Sequence, residues 1–491
     1  MHRARDVLRS GDWLTRERVR LIAVVLLLAS TAGFLFLVVT AHVTAHGAVD
    51  LQRRPLGTDF SNVYAAGTYV DEGNAEAPFD PVPQFARERA IFGDDTQFYG
   101  WHYPPYFLFV AAALATMPYG LALAVWQAVT LGLYLLVIRG ILDPSFRGAS
   151  TGPAFGRPDD RLRASPESIA SEPKIRVLSN RLWTRWLWIP DSRFAASGMT
   201  WEWLLLALAF PAVLINVGHG QNGFLTAALL GGALLVLDRR PLVAGILFGL
   251  LVYKPQYGLM LPIVLAVSGR WRCFAAAAAT VVGLTVATTL VFGASVWHAF
   301  AVFSEFTRTV VLEQGDTGWH KIQSVFAWAR MWGAPIPLAY ALQGVTTVAV
   351  GAALAWLWRS TAAFPLKASG LCLAAILATP YSFDYDMMVL APAIGFFAAD
   401  GLARGFGPWE KTALAGLWLV PLLARSTAQI SLIPLGVPTM LAVFALILRR
   451  AGLGRGWSAP RLPMAFPAAS STMAESAGGT SRGHDIAALK S

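Results

Sequence analysis

Between residues 21 and 450 apolar runs follow one another with only short polar breaks. A chain of this pattern must pair its own backbone polar groups wherever it meets hydrocarbon, and helices do so within a single segment. Candidate spans fall near 21–41, 104–118, 120–141, 201–217, 222–237, 241–253, 256–268, 273–292, 337–358, 366–379, 387–400, 409–424 and 429–448. The hydropathy criterion therefore predicts an all-α polytopic membrane protein with roughly ten to thirteen transmembrane or re-entrant helices. Several segments are short and flanked by Gly or Pro, which predicts broken or re-entrant helices seated against protein or a wet cavity. Charged residues make up only 14% of the chain, against about 25% in an ordinary soluble domain.

The net charge of +10 invites a nucleic-acid reading, which the placement of the charges excludes. Arg16, Arg18, Arg20, Arg239, Arg240, Arg270, Arg272, Arg449 and Arg450 sit at the ends of apolar segments, as the positive-inside rule produces. Membrane lipids with anionic headgroups are the expected partner, and no nucleic acid is. Cys273 and Cys372 each lie in an apolar run and form neither a disulfide framework nor a metal spacing.

Residues 1–20 read as a basic cytoplasmic N-terminus. The run Leu21 to Ala41 is too long for a cleaved leader and reads as a signal anchor. The membrane domain is expected over 21–450, with a large first extracytoplasmic loop at 42–103. The stretch 143–198, rich in Ser, Pro and Arg, reads as a flexible polar insertion, and 451–491 as a disordered tail. With Arg239-Arg240 and Arg270-Arg272 inside, the segments at 42–103, 218–223, 254–256, 293–336, 379–386 and 425–429 all fall on the outer side. One conflict stays in this count: two crossings at 104–118 and 120–141 leave the chain on the wrong side to enter 201–217.

The polar residues of those outer segments carry the functional signal. Asp59, in Thr58-Asp59-Phe60, is an acid at a membrane surface; the alternative is a helix-capping Asp. Gly218-His219-Gly220-Gln221-Asn222-Gly223 interrupts an apolar run, and His219, Gln221 and Asn222 offer donors to a phosphate or to sugar hydroxyls. Lys254, in Tyr253-Lys254-Pro255-Gln256, suits a phosphate as a point charge or snorkels to the interface, and Gln256 stands beside it. Trp319-His320-Lys321 sets an aromatic face, an imidazole and a cation side by side. His320 and Lys321 are candidate ligands, whereas Glu305, Glu313 and Asp316 read as a solvated face. Further candidates are His102, Tyr103, Gln323 and Asp384; Asp384 and Asp386 lie two apart and so do not share a helix face. No Walker A pattern, nucleophile elbow or zinc spacing is present, so a donor activated on a lipid is favoured over a nucleotide.

Thr58-Asp59-Phe60, Tyr64-Ala65-Ala66-Gly67, Phe79-Asp80-Pro81, Tyr103-Pro104-Pro105, the glycine-rich 218–223 stretch, Tyr253-Lys254-Pro255-Gln256 and His320-Lys321 with Gln323-Ser324 occur in an order that resembles glycosyltransferase family 87. These are the polyprenol-phosphate-mannose-dependent mannosyltransferase-like proteins of the GT-C fold. The resemblance covers most of 20–450 and excludes the insertion and the tail. It implies a catalytic acid in the first extracytoplasmic loop, at the position of Asp59. It also implies an inverting transfer of a hexose, mannose in characterised members, from a polyprenyl-phosphate donor to a lipid or glycan acceptor. No cofactor or metal is expected, and a bacterial cytoplasmic membrane is the expected location. A polytopic transporter or lipid flippase is the rival class, disfavoured because no duplicated half is visible.

Overall fold

The computed structural model describes residues 2–43, 49–50, 53–142 and 201–453. The insertion expected at 143–198 and the tail after 453 lie outside the described residues. The described chain is helical, with two isolated β-bridges and no strand. Its helices are α1 (His2–Ser10), α2 (Arg16–Val43), α3 (Phe60–Asp71), α4 (Pro81–Phe92), α5 (Leu108–Ala115), α6 (Tyr119–Leu142), α7 (Glu202–Leu208), α8 (Pro211–His219), α9 (Gly223–Val236) and α10 (Pro241–Leu250). They continue as α11 (Leu261–Val267), α12 (Trp271–Phe292), α13 (Ser295–Phe306), α14 (Val325–Met331), α15 (Ile336–Arg359), α16 (Phe364–Leu377), α17 (Leu390–Arg404), α18 (Glu410–Ser431) and α19 (Gly436–Leu453).

Among the described residues six helices are long and apolar enough to cross a membrane, or up to seven if α7 and α8, bent by 50° at Ala209-Phe210, act as one span. Five shorter apolar segments accompany them: Pro105–Ala115, Gly223–Val236, Pro241–Tyr253, Pro255–Val267 and Phe364–Leu377. The all-α polytopic class expected from hydropathy is what the chain adopts. Pro105–Ala115 rises only about 16 Å at 1.5 Å per residue, half of a hydrocarbon core of about 30 Å. It is too short to cross as a straight helix, so the segment at 104–118, expected as a span, is not among the helices long enough to cross.

Two layers follow from which surfaces are apolar all round. α16 is almost wholly buried, as is much of α17, so both are core helices surrounded by protein. α2 and α12 bury few of their residues, which places them at the periphery of the bundle. α10 packs along α12 at backbone distance. A Cβ at Gly245 would stand 2.4 Å from the Cys273 carbonyl oxygen, and one at Gly249 2.8 Å from that of Ala277. Small residues four apart let two membrane helices approach this closely.

The described residues between 53 and 104 are folded. α3 packs on α5 and α4 on α3. Trp101, fully buried, meets Phe79, Tyr103 and Phe107 ring to ring. At the far end of α17, Asp400 and Glu410 are both buried and share Arg450, at 2.7 and 2.6 Å, which fastens α17, α18 and α19 together.

Gly245→Val should push α10 off α12 and lower the thermal midpoint in detergent, an overpacking cost of about 1–3 kcal/mol. Gly283→Ala, where a Cβ has nothing within 4 Å, should leave the midpoint unchanged or slightly raised.

Candidate functional site

Asp59 stands at the head of α3 in a helical conformation (φ −72°, ψ −16°), and its side chain makes no capping hydrogen bond. The capping alternative therefore fails on geometry. Instead Oδ2 accepts a 2.6 Å hydrogen bond from Gln221 Nε2, and the carboxylate faces a cavity of about 480 Å³. Oδ1 takes no hydrogen bond from a described residue.

Gln221 reaches Asp59 because α8 stops abruptly. Gly220 adopts the left-handed conformation (φ +65°), its N–H bonding the Val217 carbonyl. A Cβ there would lie 2.5 Å from that of Phe60, so only glycine lets this turn sit against the start of α3. His219, on the same turn, pairs its Nδ1 with Thr58 Oγ1 at 2.7 Å. Gln221 Oε1 accepts from Tyr103 OH at 3.3 Å, joining a third segment to the same corner.

The break between α10 and α11 brings in Lys254. The residue does not snorkel: it is buried and its Nζ bonds Asp386 Oδ1 at 2.6 Å. Asp386 Oδ2 accepts the Phe383 N–H, and so caps the turn that leads into α17. Asp384 turns the other way, to Arg425 at 2.6 Å on α18. The two acids thus answer two different cations, as their spacing of two residues requires. Arg425 was expected in an outer turn at 425–429; α18 instead continues through it to Ser431 and presents it to the cavity.

Of the residues singled out by sequence, Asp59, His102, Tyr103, His219, Gln221, Lys254, Gln256 and Lys321 line this one cavity. His320, Asn222, Gln323 and Asp384 are absent from its lining. Asn222 is buried with both polar side-chain atoms unpartnered. Gln323 stitches segments together: its N–H bonds the Ser382 carbonyl at 2.7 Å and its Oε1 accepts from Gly436 N at 3.2 Å. Sequence reading did not nominate Asn62, Tyr99, Tyr381, Tyr385, Asp386 or Arg425, which also line the cavity. It set Asp316 aside as solvated, and Asp316 lies on the cavity wall. Glu305 and Glu313 both pair with Arg308.

The electrostatics separate the cations. Lys254 and Arg425 are each matched by a buried aspartate. Lys321 has no ion pair among the described residues, and burial, then the neighbouring Arg425, push its pKa below the usual lysine range. A bound anion would reverse that shift. His102, hydrogen-bonded to Thr307 Oγ1 at 2.9 Å, is driven by burial to about 4 and is neutral near pH 7. His320 is also lowered, by burial and by Lys321. Phe300, Phe303, Tyr381 and Tyr385 add aromatic surface. No cluster of metal-binding side chains occurs among the described residues. The arrangement can hold an anion at Lys321, stack a sugar or a lipid chain on rings, and accept a proton at Asp59.

The model of glycosyltransferase family 87 matches residues 101–380, more than half of the chain. Searches of the curated proteins and of the solved structures returned no match.

Removing only one partner of the buried Lys254–Asp386 pair leaves a charge without its counter-ion. Lys254→Met should destabilise the protein by about 3–5 kcal/mol, and the double variant with Asp386→Asn should recover part of the loss. Thermal unfolding in detergent would record both; equal midpoints for the native chain and Lys254→Met would contradict the pairing.

Proposed function

The chain belongs to glycosyltransferase family 87, and on that premise we propose that it transfers a hexose, mannose in the simplest case, from a polyprenyl-phosphate donor to a hydroxyl of a lipid or glycan acceptor on the extracytoplasmic side. A multi-pass membrane glycosyltransferase is the part of this reading that family and fold carry directly. The observation behind the rest is the pairing, across one cavity, of two groups that among the described residues keep a free valence: Asp59, with Oδ1 open, and Lys321, with no counter-ion.

In this reading the donor phosphate sits by Lys321, with Arg425 behind it, and the prenyl chain runs along the Phe300 and Phe303 face of α13. Gln221 fixes one oxygen of Asp59 and leaves Oδ1 to the acceptor. The acceptor oxygen attacks the anomeric carbon as Oδ1 takes its proton. A new C–O bond forms, the bond from the anomeric carbon to the phosphate oxygen breaks, and the electron pair leaves with the polyprenyl phosphate. Lys321 stabilises the charge that develops there. One displacement inverts the anomeric centre. The membrane of residence in this proposal is the bacterial cytoplasmic membrane.

Asp59→Asn keeps the Gln221 contact in shape but removes the base. Transfer from synthetic polyprenyl-phosphate-mannose to membrane extract should fall by about 10²–10⁴-fold at equal expression. Undiminished transfer would remove Asp59 from the mechanism. Lys321→Met should raise the donor KM about 10- to 100-fold, the loss of one charged hydrogen bond. An unchanged donor KM would place the phosphate elsewhere.

A further inference from the structure

Glu88 is a buried carboxyl that the transfer chemistry does not touch. It lies on α4, fully buried, beside the equally buried Gln84. Its Oε2 accepts the Tyr99 N–H at 2.9 Å, and its Oε1 accepts the Gly100 N–H at 3.2 Å and Gln84 Nε2 at 3.1 Å. Gln84 Nε2 also donates to the Asn62 carbonyl at 3.2 Å. One end of this group is therefore the first turn of α3, three residues past Asp59. The other end is the strip before α5, whose Tyr99, His102 and Tyr103 line the cavity. The strip returns to Asp59 by its own route, from Tyr103 OH to Gln221 and from Gln221 to Asp59. These hydrogen bonds, joined by the backbone of 59–62 and 99–103, make a closed loop that runs through the Asp59 carboxylate.

We propose that Glu88 is a positioning residue, which through Gln84 and the amides of Tyr99 and Gly100 sets the Asp59 carboxylate against the aromatic wall of the site. The positive φ of Gly100 (+63°) turns two successive N–H groups onto one carboxylate, an arrangement that favours an anion. A glutamine in its place would turn an amide group toward one of those donors. The proposal rests on the transfer reaction above for its effect on rate.

Burial raises the Glu88 carboxyl to about 7, against the Tyr99, Gln84 and Gly100 hydrogen bonds; the like charge of Asp59, at the head of α3, adds to the rise. Tyr99, on the strip, is the other titratable group that interacts with it and is pushed up to about 12. On the outer side of α3 and α4, Arg87 and Glu72 pair with each other, and Asp71 ends α3. As pH falls through about 7 the carboxyl takes a proton: the cost of a buried charge is relieved, but the hydrogen bonds that Tyr99, Gly100 and Gln84 give the carboxylate weaken. The closed loop then loosens, and activity should decline on the acid side.

The test compares the native chain, Glu88→Gln and Glu88→Asp in nanodiscs, by the pH profile of transfer and by amide hydrogen exchange. Glu88→Gln should lower kcat roughly 10- to 100-fold with donor KM within about twofold, the signature of misplacement without lost binding. The acid limb near pH 7 should vanish from its profile. Exchange should rise in segments 57–64 and 97–104 and nowhere else, with Glu88→Asp intermediate. An acid limb that persists in Glu88→Gln, unchanged exchange in those two segments, or exchange rising throughout the chain would each overturn the proposal. A native chain that transfers nothing from the mannosyl donor would count against the reaction, and the exchange comparison would still decide the role of Glu88.

Discussion

The 2.6 Å pair of Lys254 with Asp386 is the interaction on which the site depends. A lysine between two short apolar segments is costly in hydrocarbon, and a charge in that position is tolerated only against a partner or a cavity; Lys254 has both. Asp386 supplies the partner from a segment more than 130 positions later. The pair fixes the break between α10 and α11 to the turn before α17. That turn in turn holds α8 and α9, since Asn216 donates to the Tyr385 carbonyl at 2.9 Å and accepts from Gly223 N at 2.9 Å. From there the Gly220 turn delivers Gln221 to Asp59. A carboxylate and its cations thus share one cavity because the breaks at 220–222, 251–258 and 379–386 converge on it.

Much of this was legible in the chain because polarity is expensive in hydrocarbon. Wherever Gly, Pro or a charged residue interrupted an apolar run, as at 218–223, 253–256 and 320–324, the break marked a place where backbone had to meet protein or water. Asp59 stood out for the same reason. The all-α class followed from hydropathy alone.

What stayed hidden depended on side-chain direction and on partners distant in sequence. Arg425 was read as part of a turn because it follows an apolar run, yet the helix simply continues past it and turns it inward. Asp386 could not be told from Asp384 by composition; only the positions of Lys254 and Arg425 separate them. Asn222 and Gln323 looked like ligands because they are polar in an apolar setting, but Asn222 is absent from the cavity lining and Gln323 holds backbone together. Glu88 gave no signal, being a lone acid between Arg87 and Arg89 on a short helix whose charges read as solvated.

The central claim is a single displacement at the anomeric carbon with Asp59 as base. Its most direct test is the anomeric configuration of the product formed by the purified protein from polyprenyl-phosphate-mannose labelled with ¹³C at the anomeric carbon, read by NMR. The account predicts a product of configuration opposite to the donor. A product that keeps the donor configuration would require two displacements and a nucleophile in place of the base, and would contradict it.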